Sequence, residues 1–146
     1  MFNHILLPVN DFVLEKADFK KLTDLAERDH ARVTFVHISD PLPPAFYLQN
    51  GFGGVYVTVP EHHRACETYA DRLFKRAAEM VGPKVPTDSF HAFESDVTDG
   101  ILTAADKTNS DVIMMVSHKR PGIAEMFVGS ETRSVIAESK VPVLVI

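Results

Sequence analysis

The sequence predicts an α/β fold: a single domain built on an open five-stranded parallel sheet with helices on both faces. Three observations carry this prediction. Short apolar runs alternate along the chain with amphipathic stretches at helical spacing, in the order β-α-β-α-β-α-β-α-β. One run, Asp111 to Val116, shows no polar alternation and reads as a strand covered on both faces. Finally, 146 residues of which 45% are hydrophobic supply one ordinary core and no surplus for a second, so the domain spans 1–146.

The elements follow in order. His4 to Val9 is a short apolar run stopped by Asn10 and Asp11, which suits a buried strand. Pro8 cannot donate to a sheet ladder and belongs at the strand's exit. Leu14, Ala17, Leu22, Leu25 and Ala26 fall at helical spacing among lysines and acids, which predicts one amphipathic helix over Leu14 to Arg28. Ala31 to Ile38 is rich in β-branched and aromatic residues and predicts the second strand. From Ser39 to Thr58, Pro41, Pro43, Pro44 and Gly51-Phe-Gly-Gly54 break regular structure and predict a long loop. Pro60 suits a helix start, and Cys66, Tyr69, Leu73, Ala77 and Met80 mark one face of a helix that ends at Gly82-Pro83. Thr87 to Glu94 predicts the third strand. Asp96 then caps a helix with Val97, Ile101, Leu102 and Ala105 inward. After the fourth strand, a last helix starts near Ser130 with Val135 and Ile136 inward, and Val141 to Ile146 closes the sheet.

Charge narrows the function classes. A net charge of -5 and a pI near 5.8, with scattered basic residues, disfavour nucleic acid and anionic membranes as partners. No apolar run approaches the roughly 20 residues that cross a bilayer, and the amino terminus lacks the basic lead of a signal peptide. Cys66 is the single cysteine, which with the absent leader predicts a cytoplasmic setting.

In parallel α/β sheets the ligand sits at the carboxyl ends of the strands where the chain order reverses. That rule nominates the loops after the first and fourth strands, at Asn10 and Ser117. The segment from Val116 to Ser130 joins a buried strand to a helix and places Gly129 and Ser130 at the helix start, where unpaired amides and the helix dipole favour an anion. Gly129 would let backbone approach a phosphate, and Ser130 could cap the helix or donate to phosphate oxygen. Lys119 and Arg120 lie in the same loop and could neutralise phosphate charge. An ordinary capped helix after a glycine turn has the same local pattern, and no Walker loop is present.

Other candidates read as structural. His62 and Cys66 share a helical face but are too few ligands for a metal. Ser117 and His118 do not form a dyad, and His37 and His91 read as strand histidines at polar edges. Phe46, Tyr47, Phe52 and Tyr56 in the 39–58 loop offer a lid, a protein-partner surface or a self-packed loop.

Four segments together carry a resemblance: Ile5-Leu-Leu-Pro-Val-Asn10, Phe35-Val-His-Ile38, Ser117-His118 through Gly129-Ser130, and Val141-Pro-Val-Leu-Val-Ile146. In this order along the whole chain they look like the universal stress protein family. The resemblance implies an adenine-nucleotide alpha-hydrolase-like sheet of strand order 3-2-1-4-5. It also implies a homodimer through Val141 to Ile146, where an edge strand would leave pairing groups free. Nucleotide-binding members carry a loop of Gly, two residues, Gly, nine residues, Gly, then Ser or Thr. On that pattern the adenine contact falls on the backbone of Ile38, the ribose-binding aspartate on Asn10, and the closing pair on Gly129 and Ser130, followed by Glu131. Val116 and Lys119 occupy the first two glycine positions, and Gly122 remains. The implied ligand is ATP or AMP, held among Pro8, Val9, Asn10, Ile38, Val116, His118, Lys119, Arg120, Gly122, Gly129, Ser130 and Glu131. No catalytic base or metal set is legible, so the expectation is a binding module and not an enzyme. The rivals are a module of the same fold that binds no nucleotide and recruits a protein, and slow phosphate hydrolysis assisted by Lys119 or Arg120.

Overall fold

Why the first strand ends where it does explains much of the architecture. In the computed structural model, which describes residues 1–44, 57–117 and 128–146, β1 (His4–Pro8) is hydrogen-bonded on both sides, to β2 (Arg32–Ser39) and to β4 (Val112–Met115). Pro8 is its last residue, where the ladder is ending, as its missing N–H requires. The other strands are β3 (Thr87–Phe93) and β5 (Val143–Val145), and all pairings are parallel in the order β3-β2-β1-β4-β5. The predicted sheet and strand order are therefore observed.

The helices are α1 (Asp11–Lys16), α2 (Phe19–Asp29), α3 (Val59–Val81), α4 (Val97–Thr108) and α5 (Ser130–Glu138). The single helix expected over Leu14 to Arg28 is two. Ala17 takes extended backbone at ψ 140°, and Asp18 starts a new helix by accepting the Lys21 N–H at 3.2 Å. Asn10 starts α1 in the same way, its Oδ1 accepting the Val13 N–H at 2.8 Å. α3 begins at a reciprocal cap in which Thr58 Oγ1 accepts from Glu61 N and Glu61 Oε2 accepts from Thr58 N. It stops at Gly82, whose φ of 84° favours glycine.

Strand alternation divides the interior in two. Ile5, Leu7, Val9, Val33, Phe35, Val112, Met114 and Val116 face α1, α2 and α3, against Leu14, Leu22, Leu73 and Ala77. Leu6, Val36, Ile113 and Met115 face α4 and α5, against Ile101, Ala104 and Val135. The central strands are thus covered on both faces, which is why they read as unbroken apolar runs. Three residues expected inward turn out instead: Met80, Val97 and Ile136 are exposed, Ile136 at 48%. Val97 is the first residue of its helix, and Met80 and Ile136 stand next to the buried Val81 and Val135. Cys66, on the face that Leu73 and Ala77 bury, is only partly buried. No helix among the described residues is long and apolar enough to cross a membrane.

Candidate functional site

β1 lies between β2 and β4, so the chain order reverses on either side of it, and a crevice opens at the strands' carboxyl ends. Val9 N–H makes the last bond to β2, at Val36 O (2.8 Å), before Asn10 turns the chain into α1. On the other side of β2, Ser39 O accepts from Glu94 N at 3.0 Å. Because backbone groups alternate sides along a strand, the N–H and C=O of Ile38 are turned toward the space that β1 has vacated.

The result is a cleft of about 490 Å³. Its floor and walls come from Pro8, Val9 and Asn10 at the exit of β1, Phe12 and Val13 of α1, and Val36, His37 and Ile38 of β2. Val97 and Ile101 of α4, Met115 and Val116 at the exit of β4, and Gly129 through Arg133 at the start of α5 complete it. Eight residues nominated from sequence (Pro8, Val9, Asn10, Ile38, Val116, Gly129, Ser130 and Glu131) line this one cleft. His118, Lys119, Arg120 and Gly122 lie outside the described residues, as do Phe46, Tyr47, Phe52 and Tyr56.

Several of these residues sit differently from their sequence reading. Ser130 is not the cap of α5; Gly129 is, with ordinary extended backbone (φ -60°, ψ 160°) and no side chain to bond the first turn. The first turn of α5 lines the cleft and, among the described residues, has no side-chain cap, an arrangement suited to an anion. Glu131 places a carboxylate in the same turn, and Arg133 Nε donates to Val128 O at 3.0 Å one turn on. Asn10 lends its acceptor oxygen to the Val13 N–H, so the amide reads first as a helix cap. Val116 packs within the α1–α3 side of the core at 7% exposure, so its branched side chain borders the cleft without filling it. Ser117 is held away from chemistry, with both its N–H (2.7 Å) and Oγ (3.0 Å) donating to Ile146 O.

Sequence reasoning missed the apolar wall. Phe12, Val13, Val36, Val97, Ile101 and Met115 are apolar residues that line the cleft. Val97 and Ile101 had been read only as inward residues of their helix, and the others only as neighbours of the predicted strand exits. Gly100 of α4 is a further hidden determinant: a Cβ there would meet Ile38 at 2.8 Å, so the glycine seats the isoleucine against the helix. His37 was read as facing a polar edge. Its Nδ1 instead donates to Val9 O at 2.7 Å, and its ring packs edge-on to Tyr69 and stacks on His91. Tyr69 in turn donates to Asp11 Oδ2 at 2.7 Å, and burial and that carboxylate raise its phenol above the ordinary tyrosine range. Among the described residues no group of three His, Cys, Asp or Glu side chains is placed to hold a metal.

The fold and cleft define a doubly wound α/β protein with its candidate binding site at the topological switch point. The universal stress protein family model matches residues 1–146, and the chain belongs to that family. It is similar to the universal stress protein of the QAH/OAS sulfhydrylase 3′ region of Thermus aquaticus, with 27% identity over 122 residues covering 83% of this chain and 81% of that one. Among solved structures it superposes on universal stress protein UspA from Lactobacillus plantarum with a TM-score of 0.72 at 19% identity, covering 99% and 97% of the two chains. It also superposes on the Archaeoglobus fulgidus universal stress protein in complex with dAMP, with a TM-score of 0.64 at 16% identity, covering 98% and 96%. A universal stress protein in complex with cAMP matches with a TM-score of 0.61 at 13% identity, covering 99% and 96%.

Proposed function

We propose that the cleft at the exits of β1 and β4 binds an adenine nucleotide, ATP or AMP, and that the protein acts as a cytoplasmic, dimeric stress-response binding module and not as a catalyst. The observation that carries the reading is the meeting of three features in one space. These are the uncapped first turn of α5, the outward-turned backbone of Ile38, and an apolar wall from Val97, Ile101 and Met115. A phosphate fits the first, the donor and acceptor edge of a base the second, and the ring face the third. Solved relatives of the same fold hold dAMP and cAMP. In this reading Pro8, Val9 and Asn10 border the sugar, with Asn10 offering its amide N–H groups while its oxygen caps α1. Val116, Gly129, Ser130 and Glu131 border the phosphates, with His118, Lys119, Arg120 and Gly122 of the adjoining loop assigned to the same end.

A second reading, a module of this fold that recruits a protein and takes no nucleotide, is favoured by one observation: Glu131 brings negative charge to the turn that phosphate would occupy. Calorimetric titration with ATP and AMP, together with chromatography of the supernatant after denaturation, separates the two. Heat of binding, or co-released nucleotide, is expected, and its loss is expected in Ser130→Phe. No heat up to millimolar nucleotide and no released nucleotide would leave the second reading in place. Unchanged affinity in the variant would put the ligand elsewhere.

A further inference from the structure

On the α3 face of the sheet, five rings stand in continuous contact. His63 stacks on Phe93 (centroids 4.1 Å), Phe93 meets His91 (4.8 Å), His91 stacks on His37 (6.1 Å), and His37 meets Tyr69 edge-on (5.3 Å). Each polar rung also bonds a segment leaving the carboxyl end of the sheet. His63 Nε2 donates to Pro41 O (2.7 Å), and its neighbour His62 donates from Nε2 to Asp40 O (2.8 Å). His91 Nε2 shares a hydrogen bond with Ser39 Oγ (2.8 Å), His37 Nδ1 donates to Val9 O (2.7 Å), and Tyr69 donates to Asp11. The ladder thus fastens the exits of β1 and β2 to α3, and two of its members, His37 and the Val9 it bonds, line the cleft.

We propose that this ring ladder is a pH-sensitive latch, which fastens the exits of β1 and β2 to α3 and loosens when His91, in the middle of the stack, takes up a proton in acid. A proton on His91 would place a cation among partly buried rings, between His37 and Phe93 and beside Ser39. His91 lies at the centre, and its basicity is held below the ordinary histidine value, chiefly by burial and then by His37, with His63 adding to the effect. The groups opposing this are Glu67 and Asp71 of α3, both exposed. At the far end Asp11, with Arg76 at 3.5 Å, and Arg72 over the Tyr69 ring complete the charged surroundings. The sign follows. A histidine whose basicity is lowered in the fastened form binds its proton better once the latch opens, so acid favours opening below the ordinary value of 6.5. The proposal concerns the latch itself and stands whether or not the cleft takes an adenylate.

Hydrogen exchange of the amides of residues 38–44 and 58–64, corrected for intrinsic rates and followed from pH 7.5 to 5, tests it in the full chain. Wild-type protection is expected to fall severalfold across this range, because the open form binds the His91 proton more tightly than the fastened one. His91→Phe, which keeps a ring but cannot take a proton, is expected to flatten the fall. Glu67→Gln with Asp71→Asn, which removes the groups that ease protonation and leaves buried packing untouched, is expected to steepen it. Protection that falls equally in wild type and in this surface variant, or does not fall at all, overturns the latch, even if His91→Phe fails to fold.

Discussion

Single residues set the balance at both ends of the sheet. At the amino end His4 is buried, Arg32 Nη2 donates to its Nδ1 at 3.3 Å, and its Nε2 donates to Thr34 Oγ1 at 2.7 Å. Burial first, and the Arg32 cation second, lower its basicity below the ordinary 6.5. The folded state therefore prefers the neutral ring. This contribution is fully present above about pH 6.5 and is lost as the pH falls below it, because the unfolded chain takes up the proton first. The urea midpoint is expected to be lower at pH 5.5 than at 7.5, and the difference to be smaller in His4→Gln. None of this was legible in the sequence, where His4 is merely the first residue of an apolar run. His37 and His91 were legible as strand histidines, but not their ring stack beneath α3. Strand register places them under α3, and register depends on residues far away in the chain. At the carboxyl end Gly100 lies inside a helix, where glycine costs about 1 kcal/mol relative to alanine. The cost is offset by the close seat it gives Ile38.

At the scale of elements, existence and order were legible and some boundaries were not. The strands announced themselves because β1, β2 and β4 are covered on both faces and need apolar residues at nearly every position. The break between α1 and α2 was hidden because Ala17 continues the apolar spacing. The signal was Asp18, a good helix-starting residue in what looked like a helix interior. The start of α3 carries its full signature in Thr58, Pro60 and Glu61. Thr58→Ala is expected to destabilise the protein by about 1 kcal/mol, read from urea denaturation, since the Glu61 N–H loses its acceptor. For the site, the strand exits pointed to the right neighbourhood, whereas the apolar wall came from helices whose approach only tertiary packing decides. Ser130, read as a possible cap, proved to be the first helical residue, because Gly129 alone makes the turn.

For the whole molecule, the sheet order leaves β5 bonded, among the described residues, to β4 alone. Its outer backbone groups are available to a second copy, as the family resemblance implied for Val141 to Ile146, although the regular strand begins only at Val143. Light scattering at micromolar concentration is expected to give twice the chain mass of 16.2 kDa, and a monomeric mass would remove the dimer from the proposal. The carbonyl of Ile146 takes both bonds from Ser117, and the Ile146 N–H bonds Met115 O at 2.9 Å. The free border of the sheet and the mouth of the crevice are therefore hinged on one shared residue pair. Any neighbour that grips β5 also takes hold of the segment that leaves β4.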